Sequence, residues 1–294
     1  MRYPPQPSPV SDLSPAVLDS GHFWIQEYVF GSELWFRMES SGLLVFGDLR
    51  NEFDPGSIPL EYDLAARWVR DRFDRDRLRE GTEDPEAYVF FGVVPLGGPV
   101  AYEWESIPPF LGTDIWDGTA EDFLPEDVVE RVFDELGLET VPTIEKEVPA
   151  RRLQGSISSI PDSAWADEKA AGMLLRKKNG PRALIRRDDL EESIGKAGND
   201  VPSSDLASED LRSFIESGVD ESPLSRVDAG TAGDGAHDPI EETVRRVAVT
   251  LAREEYTRIR PVLEKRPDEF ERIVGERVRS LVGVDGTGTG GSEE

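Results

Sequence analysis

The sequence predicts an α+β protein in which a domain of antiparallel sheets with flanking helices is followed by a small helical domain. Before Gly195, short apolar and aromatic runs are bounded by glycine and proline, as in strands and tight turns, and amphipathic segments interrupt them. After Gly195, a linker-like stretch leads into helical periodicity alone. We expect an extended arm over 1–20, a mixed domain over 21–195, a helical domain over 205–282 and a disordered tail over 283–294.

The strand predictions follow the chain in order. Aromatic and β-branched runs predict strands within 22–31, 33–38, 42–47, 87–98 and 108–118. A hairpin is expected over 172–189, with its strands meeting near Asn179 and Gly180, because Asn-Gly is a strong turn dipeptide. The proline-rich start through Val10 is typical of an extended segment.

The helix predictions rest on apolar spacing and on residues that begin and end helices. Apolar residues recur at helical spacing over 62–78, with charged residues on the opposite face. Over 124–137, a proline and two acids occupy the first turn, and Gly137 suits a left-handed C-cap. Two further helices are expected over 240–265 and 267–282.

Composition restricts the classes of function. The formal net charge of -27 argues against a general nucleic-acid-binding surface, because such surfaces gain affinity by neutralising phosphates. Scarce lysine and abundant acids indicate a halophilic protein adapted to a salt-rich cytoplasm, where screening weakens self-repulsion. The rival interpretation is an acidic protein that binds a basic partner. The absence of cysteine excludes thiolate chemistry, and no apolar run is long enough for a membrane helix, so we expect a cytoplasmic protein without a membrane partner.

Few of the common chemical motifs are present. The two histidines, His22 and His237, have no neighbours in sequence that suggest a triad or a metal site, so no metal ligands are predicted. The glycine-rich tail lacks the strand, the helix and the Lys-Ser/Thr pair of a phosphate loop.

A basic segment stands out in this acidic chain. Positive charge is dense around the predicted hairpin, which gives it either a phosphate-contacting role or that of an ordinary solvated face. Its residues, the candidates for nucleic-acid binding, are Lys177, Lys178, Arg182, Arg186 and Arg187, together with Arg176 in the same strand.

Several segments, in order, resemble the RNA ligase family of covalent nucleotidyltransferases, over about 22–190. The family's Glu-Lys-x-Asp-Gly motif corresponds to EYVFG at 27–31, and its Phe-Phe-Gly-Glu segment is similar to FFGV at 90–93. The stretch over 160–189 resembles the closing motifs, Glu-Gly-x-x-x-Arg and Arg-Ala-Lys. The resemblance implies an ATP-grasp-like nucleotidyltransferase domain of the RNA ligase type, followed by a small helical domain. Its implied pocket positions are Glu27, Gly31, Gly172 and Arg176.

The departures from the family's motifs carry the functional expectation. The nucleophilic lysine, the motif aspartate, two glutamates and the last motif's lysine are replaced, in that order, by Tyr28, Phe30, Val93, Ala171 and Leu184. A phenol with a pKa near 10 does not replace a lysine tuned to attack ATP. The resemblance therefore implies a pseudoenzyme with no catalytic residues, whose cleft has become apolar. That cleft is either collapsed for stability or reshaped for a less charged ligand.

The expected role is the binding of RNA ends or of an active ligase or repair partner. The alternative is an active ATP-dependent RNA ligase that joins RNA ends through an adenylated intermediate, with ATP and Mg as cofactors. In that case either the alignment with the family's motifs is displaced along the chain, or Lys177 or Lys178 reaches the nucleotide. A third possibility is an interaction protein held through the C-terminal helices, whose apolar stripe over 270–281 could dock a partner.

Overall fold

The fold is mixed α+β, as the sequence predicts, with two sheets that are largely antiparallel. It is known from a computed structural model that describes residues 2–10, 21–156, 159–177, 182–187, 208–219 and 238–282. The predicted linker, the disordered tail, residues 11–20 of the arm, Lys178 and the Asn179-Gly180 turn lie outside these ranges. The chain divides into two compact units, Met1–Asp200 and Val201–Glu294.

The first unit holds the strands and four of the helices in the described ranges. The strands are β1 (Ser8–Pro9), β2 (His22–Tyr28), β3 (Gly31–Met38), β4 (Leu44–Gly47), β5 (Tyr88–Pro95), β6 (Leu111–Asp117), β7 (Asp122–Phe123), β8 (Thr143–Pro149), β9 (Gly172–Lys177) and β10 (Arg182–Arg186). The helices are α1 (Leu60–Arg72), α2 (Arg75–Gly81), α3 (Glu126–Glu135) and α4 (Ala150–Ser156), with a short 3-10 turn at Pro85–Ala87.

Sheet A has the strand order β1-β10-β9-β2-β8, and sheet B has the order β4-β3-β5-β6-β7. All neighbouring strands are antiparallel except β1, which lies parallel to β10. The tight connection from β2 to β3 passes the chain from one sheet to the other. That connection carries the stretch that resembles the ligase family's lysine motif.

One face of sheet B packs against helices through a core of phenylalanines. Phe36 stacks on Phe90 with ring centroids 4.9 Å apart, and Phe73 meets Phe36 edge-on at 5.1 Å. Phe133 of α3 lies 5.8 Å from Phe90 and is fully buried. Aromatic pairs of this geometry add stability beyond the area that they bury. The strands supply these rings at every second position, which leaves the other face of sheet B to meet sheet A. We call the region between the two sheets, where Asp114 of sheet B contacts Arg176 and Arg182 of sheet A, the cleft.

The inner face of sheet B, which turns towards sheet A, is defined by strand register. Trp35 lies opposite Phe91, and Phe91 lies opposite Asp114. Alternation puts residues two apart on the same face, so Glu33 joins Trp35 on β3, and Trp116 joins Asp114 on β6. This face combines an aromatic row with two carboxylates.

Helix ends explain the limits of α3. Pro125 precedes the helix, acids occupy its first turn, and Gly137 follows its end with φ of +79°. The predicted left-handed cap at Gly137 is confirmed. Val129 and Phe133 give the helix its buried side.

The second unit is helical in the described ranges. Its helices are α5 (Ser208–Gly218), α6 (Pro239–Glu254), α7 (Tyr256–Lys265) and α8 (Pro267–Leu281). Helix α8 packs against α5, α6 and α7, and Phe270, Ile273, Val274 and Val278 of its predicted stripe are buried. That stripe therefore serves the core of its own unit. None of the helices in the described ranges combines the length and apolarity needed to cross a bilayer.

Three sequence predictions differ from the structure. The helix expected over 62–78 is broken because Asp74 accepts a hydrogen bond from the backbone N–H of Arg77 and begins α2. The helix expected over 240–265 divides at Glu255 into α6 and α7. Strand β8 was not predicted, since it lies at the edge of sheet A and Val148 is its one fully buried apolar side chain.

Packing of β6 against α3 gives a test of this fold. A Cβ placed on Gly112 would lie 2.5 Å from the fully buried ring of Phe133. Gly112→Ala should therefore lower the free energy of unfolding by about 1–3 kcal/mol, measured by denaturant titration. Gly81→Ala is the matched control, because nothing lies within 4 Å of its added Cβ, and it should be neutral or slightly stabilising. Equal effects of the two variants would contradict this packing.

Candidate functional site

The candidate site is the end of the cleft at the β2–β3 connection. Four of the five altered motif positions meet there in one apolar cluster. Tyr28, Phe30 and Val93 pack, partly buried, against it, and Ala171 is fully buried within it. We name this set, with its neighbours, the apolar cluster. Its remaining members are Val29, Val100, Tyr102, Trp104, Ile107, Leu111, Val141, Trp165 and Ala166.

The fifth altered position, Leu184, lies on β10 opposite Leu174 of β9 and is buried. Strand alternation puts Leu184 on the same face of sheet A as Arg182 and Arg186, which is the face that turns towards sheet B. The wall of the cleft is therefore aliphatic at Leu184.

Two connecting segments cover the apolar cluster. The backbone N–H of Phe30 donates to the Tyr102 hydroxyl at 2.7 Å, and the backbone N–H of Glu103 donates to the Trp165 carbonyl at 2.7 Å. Burial raises the pKa of the Tyr102 phenol well above its ordinary value. Tyr102 therefore stays neutral, and its hydroxyl holds the β2–β3 connection in place by accepting this hydrogen bond from Phe30.

Glu27, which precedes Tyr28 in β2, has a structural role. Its side chain accepts hydrogen bonds from the Ser163 hydroxyl at 2.7 Å and from the backbone N–H of Ala164 at 3.0 Å. The residue is 3% exposed, and burial raises the pKa of its carboxyl, which these hydrogen bonds partly offset. Glu27 fastens the covering segment over 160–170 to β2.

A buried ionic cluster joins the two sheets beside the apolar cluster. Arg176 of sheet A is 2% exposed, and its Nη2 lies 2.6 Å from Oδ1 of Asp114 of sheet B. Arg182 of sheet A binds both oxygens of the same carboxylate, at 3.1 and 2.5 Å. Glu126 of α3 accepts from Arg176 Nε at 3.2 Å. We name Asp114, Arg176, Arg182 and Glu126 the ionic cluster.

The remaining donors of Arg176 are also satisfied. Its Nη1 donates to the Gln26 side chain at 3.2 Å and to the backbone carbonyl of Thr113 at 2.8 Å. Burial alone would raise the pKa of the Asp114 carboxyl, but the adjacent guanidinium groups of Arg176 and Arg182 hold it below its usual value. The cluster is thus an internally neutralised unit.

The predicted basic segment does not form one surface. Arg176 and Arg182 face inward in the ionic cluster, and Arg182 is 11% exposed in its side chain. Arg187 donates from Nη1 to Glu168 and to the carbonyl of Lys169, both at 2.8 Å. Lys177 lies on the other face of sheet A, with Nζ 5.8 Å from the Phe23 ring centroid. Arg186 is exposed at the mouth of the cleft, 5.8 Å from the Tyr28 ring centroid.

The other predicted pocket positions are backbone sites. A Cβ on Gly31 would lie 2.0 Å from the Val94 carbonyl oxygen, and one on Gly172 would lie 2.2 Å from that of Ile185. Both glycines therefore allow close approach of strands. Within the described ranges, no group of three or more His, Asp or Glu side chains is arranged to hold a metal ion.

Sequence reasoning missed Asp114, Tyr102 and Trp165. Asp114 is a lone acid in the otherwise apolar strand LGTDIWD, and a charged residue at a buried position was the available signal. Tyr102 and Trp165 lie in irregular segments whose placement has no periodicity to reveal it.

No family profile and no curated protein sequence matches the chain. Among solved structures, a mutant of Naegleria gruberi RNA ligase with ATP and Mn aligns with 65% of this chain at 14% identity and a TM-score of 0.49. The same ligase with PPi gives the same values, and another mutant with AMP and Mn gives 13% identity and a TM-score of 0.48. This chain spans 57% of the length of each of those ligase chains.

The ionic cluster gives a stability test. Asp114→Asn leaves Arg176 and Arg182 without their shared buried counter-charge and should lower the free energy of unfolding by about 3–5 kcal/mol. Glu135→Gln is the matched control, since Glu135 pairs with Arg77 at 3.3 Å with both side chains about half exposed, and should cost less than about 1 kcal/mol. Denaturant titration of both variants measures the contrast, and similar losses would refute the inter-sheet role.

Acidification should remove the same stabilisation. The pKa of Asp114 is lowered by folding, so its contribution is present above its unfolded pKa of about 3.9 and is lost as pH falls through the lower folded value. The difference in unfolding free energy between the wild type and Asp114→Asn should therefore be constant from about pH 5 to 7 and shrink below about pH 4. A difference that persists unchanged to about pH 2 would show that the carboxylate charge is not its source.

Proposed function

We propose that 21–195 form an RNA-ligase-like nucleotidyltransferase domain, of the ATP-grasp-like type, that has lost self-adenylation and serves in binding. The two sheets face each other across a cleft, and the segments that resemble the ligase motifs lie along it. The proposed ligands are RNA ends or a ligase or repair partner, reached through the mouth of the cleft.

The apolar cluster is the observation that carries this proposal. Covalent nucleotidyl transfer needs a nucleophilic amine, together with charged groups that bind the ribose, the metal ion and the phosphates. The residues at the corresponding positions instead belong to the apolar cluster, and they are Tyr28, Phe30, Val93 and Ala171. Removing one charge-stabilising group typically costs two to three decades of rate, so the combined loss leaves no useful activity.

The ionic cluster supports the same proposal independently. Arg176 and Arg182 lie between the two sheets with little exposure of their side chains, and both bind Asp114. A phosphate that entered would have to displace a buried carboxylate held by two arginines. The anion-binding capacity of these two arginines is therefore used within the protein.

Lys177 does not offer a substitute nucleophile. It pairs in register with Phe23 and shares the face of sheet A that packs on Val148 and Leu153, away from the cleft. Lys178, the other candidate of the active-ligase alternative, lies outside the described residues.

The chemical test is intact-mass measurement after incubation with ATP and either Mg²⁺ or Mn²⁺ in high salt. The mass should stay unchanged, while an active RNA ligase in parallel gains one AMP. Tyr28→Lys should also stay unmodified, because the other altered positions remain. An AMP adduct on the wild-type protein would overturn the proposal and favour the active ligase.

RNA binding has its own test. Arg186→Glu, at the exposed mouth of the cleft, should weaken binding of a single-stranded RNA with a 5′-phosphate about tenfold and lower the salt slope by about one. Arg131→Glu is the control, since it makes the same charge change on the exposed side of α3. Fluorescence anisotropy at several salt concentrations measures both effects. Equal loss of RNA affinity in the two variants would show a non-specific charge effect. Binding of a ligase or repair partner would then be tested by co-purification with Arg186→Glu and with Arg131→Glu.

A further inference from the structure

The N-terminal arm lies across the part of sheet B that sheet A leaves uncovered. Ser8 and Pro9 pair with Ala183 and Leu184 of β10 as a short parallel strand. Further along, the Gln6 amide donates to both oxygens of Glu33 at 3.2 Å. We name residues 2–10 the arm.

The arm ends on the aromatic row of sheet B. Tyr3 meets Phe91 edge-on with ring centroids 6.1 Å apart, and Pro4 is buried. Trp35 and Trp116 flank Phe91 on the same face, with the Trp116 ring itself supported by Phe123 at 5.0 Å. A row of aromatic side chains thus lies directly beneath an extended segment of this chain.

The chemistry of the arm matches this surface. Four of its nine residues are prolines, at positions 4, 5, 7 and 9. Proline-rich segments adopt an extended conformation before they bind, so they lose little entropy, and they dock on aromatic-lined grooves. Within this one molecule, the arm is the proline-rich extended segment and the aromatic row is the surface on which it docks.

The arm does not fill the groove. A cavity of about 450 Å³ remains beside Tyr3, with Trp35, Trp116 and Val89 among its walls. Glu52 and Glu86 lie at its rim, and Arg37 pairs with Glu52 at 3.3 Å. The rim therefore carries two carboxylates against one guanidinium, which favours a basic side chain in the occupant.

We propose that the aromatic row of sheet B, with the edge of β10, is a groove that binds a basic, proline-rich extended segment of a partner protein, and that the arm occupies it in cis. This inference goes beyond the proposed function and does not rest on it. The groove uses Trp35, Phe91 and Trp116, and the proposed loss of adenylation concerns the apolar cluster.

The contacts of the arm are suited to exchange. They include two ladder positions, the bonds from the exposed Gln6 amide to both oxygens of Glu33, one edge-on ring contact, one buried proline, and Val10, which packs partly buried against the core of sheet A. A competing segment binds only the fraction of molecules whose groove is open, so its apparent affinity falls by that fraction. Weakening the arm should therefore tighten binding in trans, and locking the arm should abolish it.

The experiment uses the full chain and a dye-labelled nonapeptide with the sequence of residues 2–10, followed by fluorescence anisotropy. The arm is weakened by Tyr3→Ser with Gln6→Ala, and it is locked by a disulfide between Ser8→Cys and Ala183→Cys. The native chain has no cysteine, so that disulfide is the sole one that can form within the molecule. The control peptide has alanine in place of each proline.

We expect the weakened variant to bind the peptide about tenfold more tightly than the wild type. The oxidised locked variant should not bind it, and reduction should restore wild-type affinity, which also shows that the variant is folded. Absence of binding to the weakened variant would overturn the proposal. So would equal affinity for the alanine control peptide, binding to the oxidised locked variant, or binding of single-stranded RNA to this groove in place of the peptide.

The rim carboxylates give a second, independent readout. Glu86→Lys should weaken binding of the peptide, whose first residue is arginine, about fivefold. Glu80→Lys, an equal charge change at an exposed position of α2, should leave the affinity unchanged. Equal effects of the two substitutions would remove the rim from the proposed site.

Discussion

The carboxylate of Asp114, shared between Arg176 and Arg182, is the interaction on which the arrangement of the first unit depends. It is the point where a charged residue of sheet B meets charged residues of sheet A, and all three are shielded from solvent. Removing charges from water is costly, and the cost is offset here because Glu126, the Gln26 amide and the Thr113 carbonyl take up the remaining donors of Arg176. The cluster thereby ties sheet A to sheet B at the centre of their facing surfaces.

The ionic cluster divides the inner face of sheet B into two regions with different character. On one side, the apolar cluster fills the end of the cleft at the β2–β3 connection, and Glu27 and Tyr102 hold its covering segments through hydrogen bonds. On the other side, the aromatic row is open to the arm and to the cavity beside Tyr3. The first region has the packing of a core, whereas the second keeps space and charge at its rim. Chemistry in the first region has been given up in our proposal, and recognition is left to the cleft mouth and the second region.

Much of the fold was predictable from local patterns. Aromatic runs bounded by glycine located most of the strands of both sheets, and Gly137 marked the end of α3, because these signals depend on the backbone and on near neighbours in sequence. Strand β8 escaped prediction, since an edge strand buries few side chains and its pattern is correspondingly weak. The breaks at Asp74 and Glu255 escaped for a related reason, because a capping residue inside an amphipathic pattern leaves the apolar spacing nearly unchanged.

The sequence by itself determined the residue types at the positions of the family resemblance, on which our proposal of lost nucleotidyl transfer rests. It also determined that positive charge is concentrated around β9 and β10. Only the tertiary structure decided where those charges go: Arg176 and Arg182 face Asp114, while Lys177, the neighbour of Arg176, lies on the other face of sheet A. The physical reason is that alternation along a strand separates neighbours onto opposite faces, and the partner that buries one of those faces comes from a strand more than sixty residues away. A count of charges in a segment contains no information about that partner.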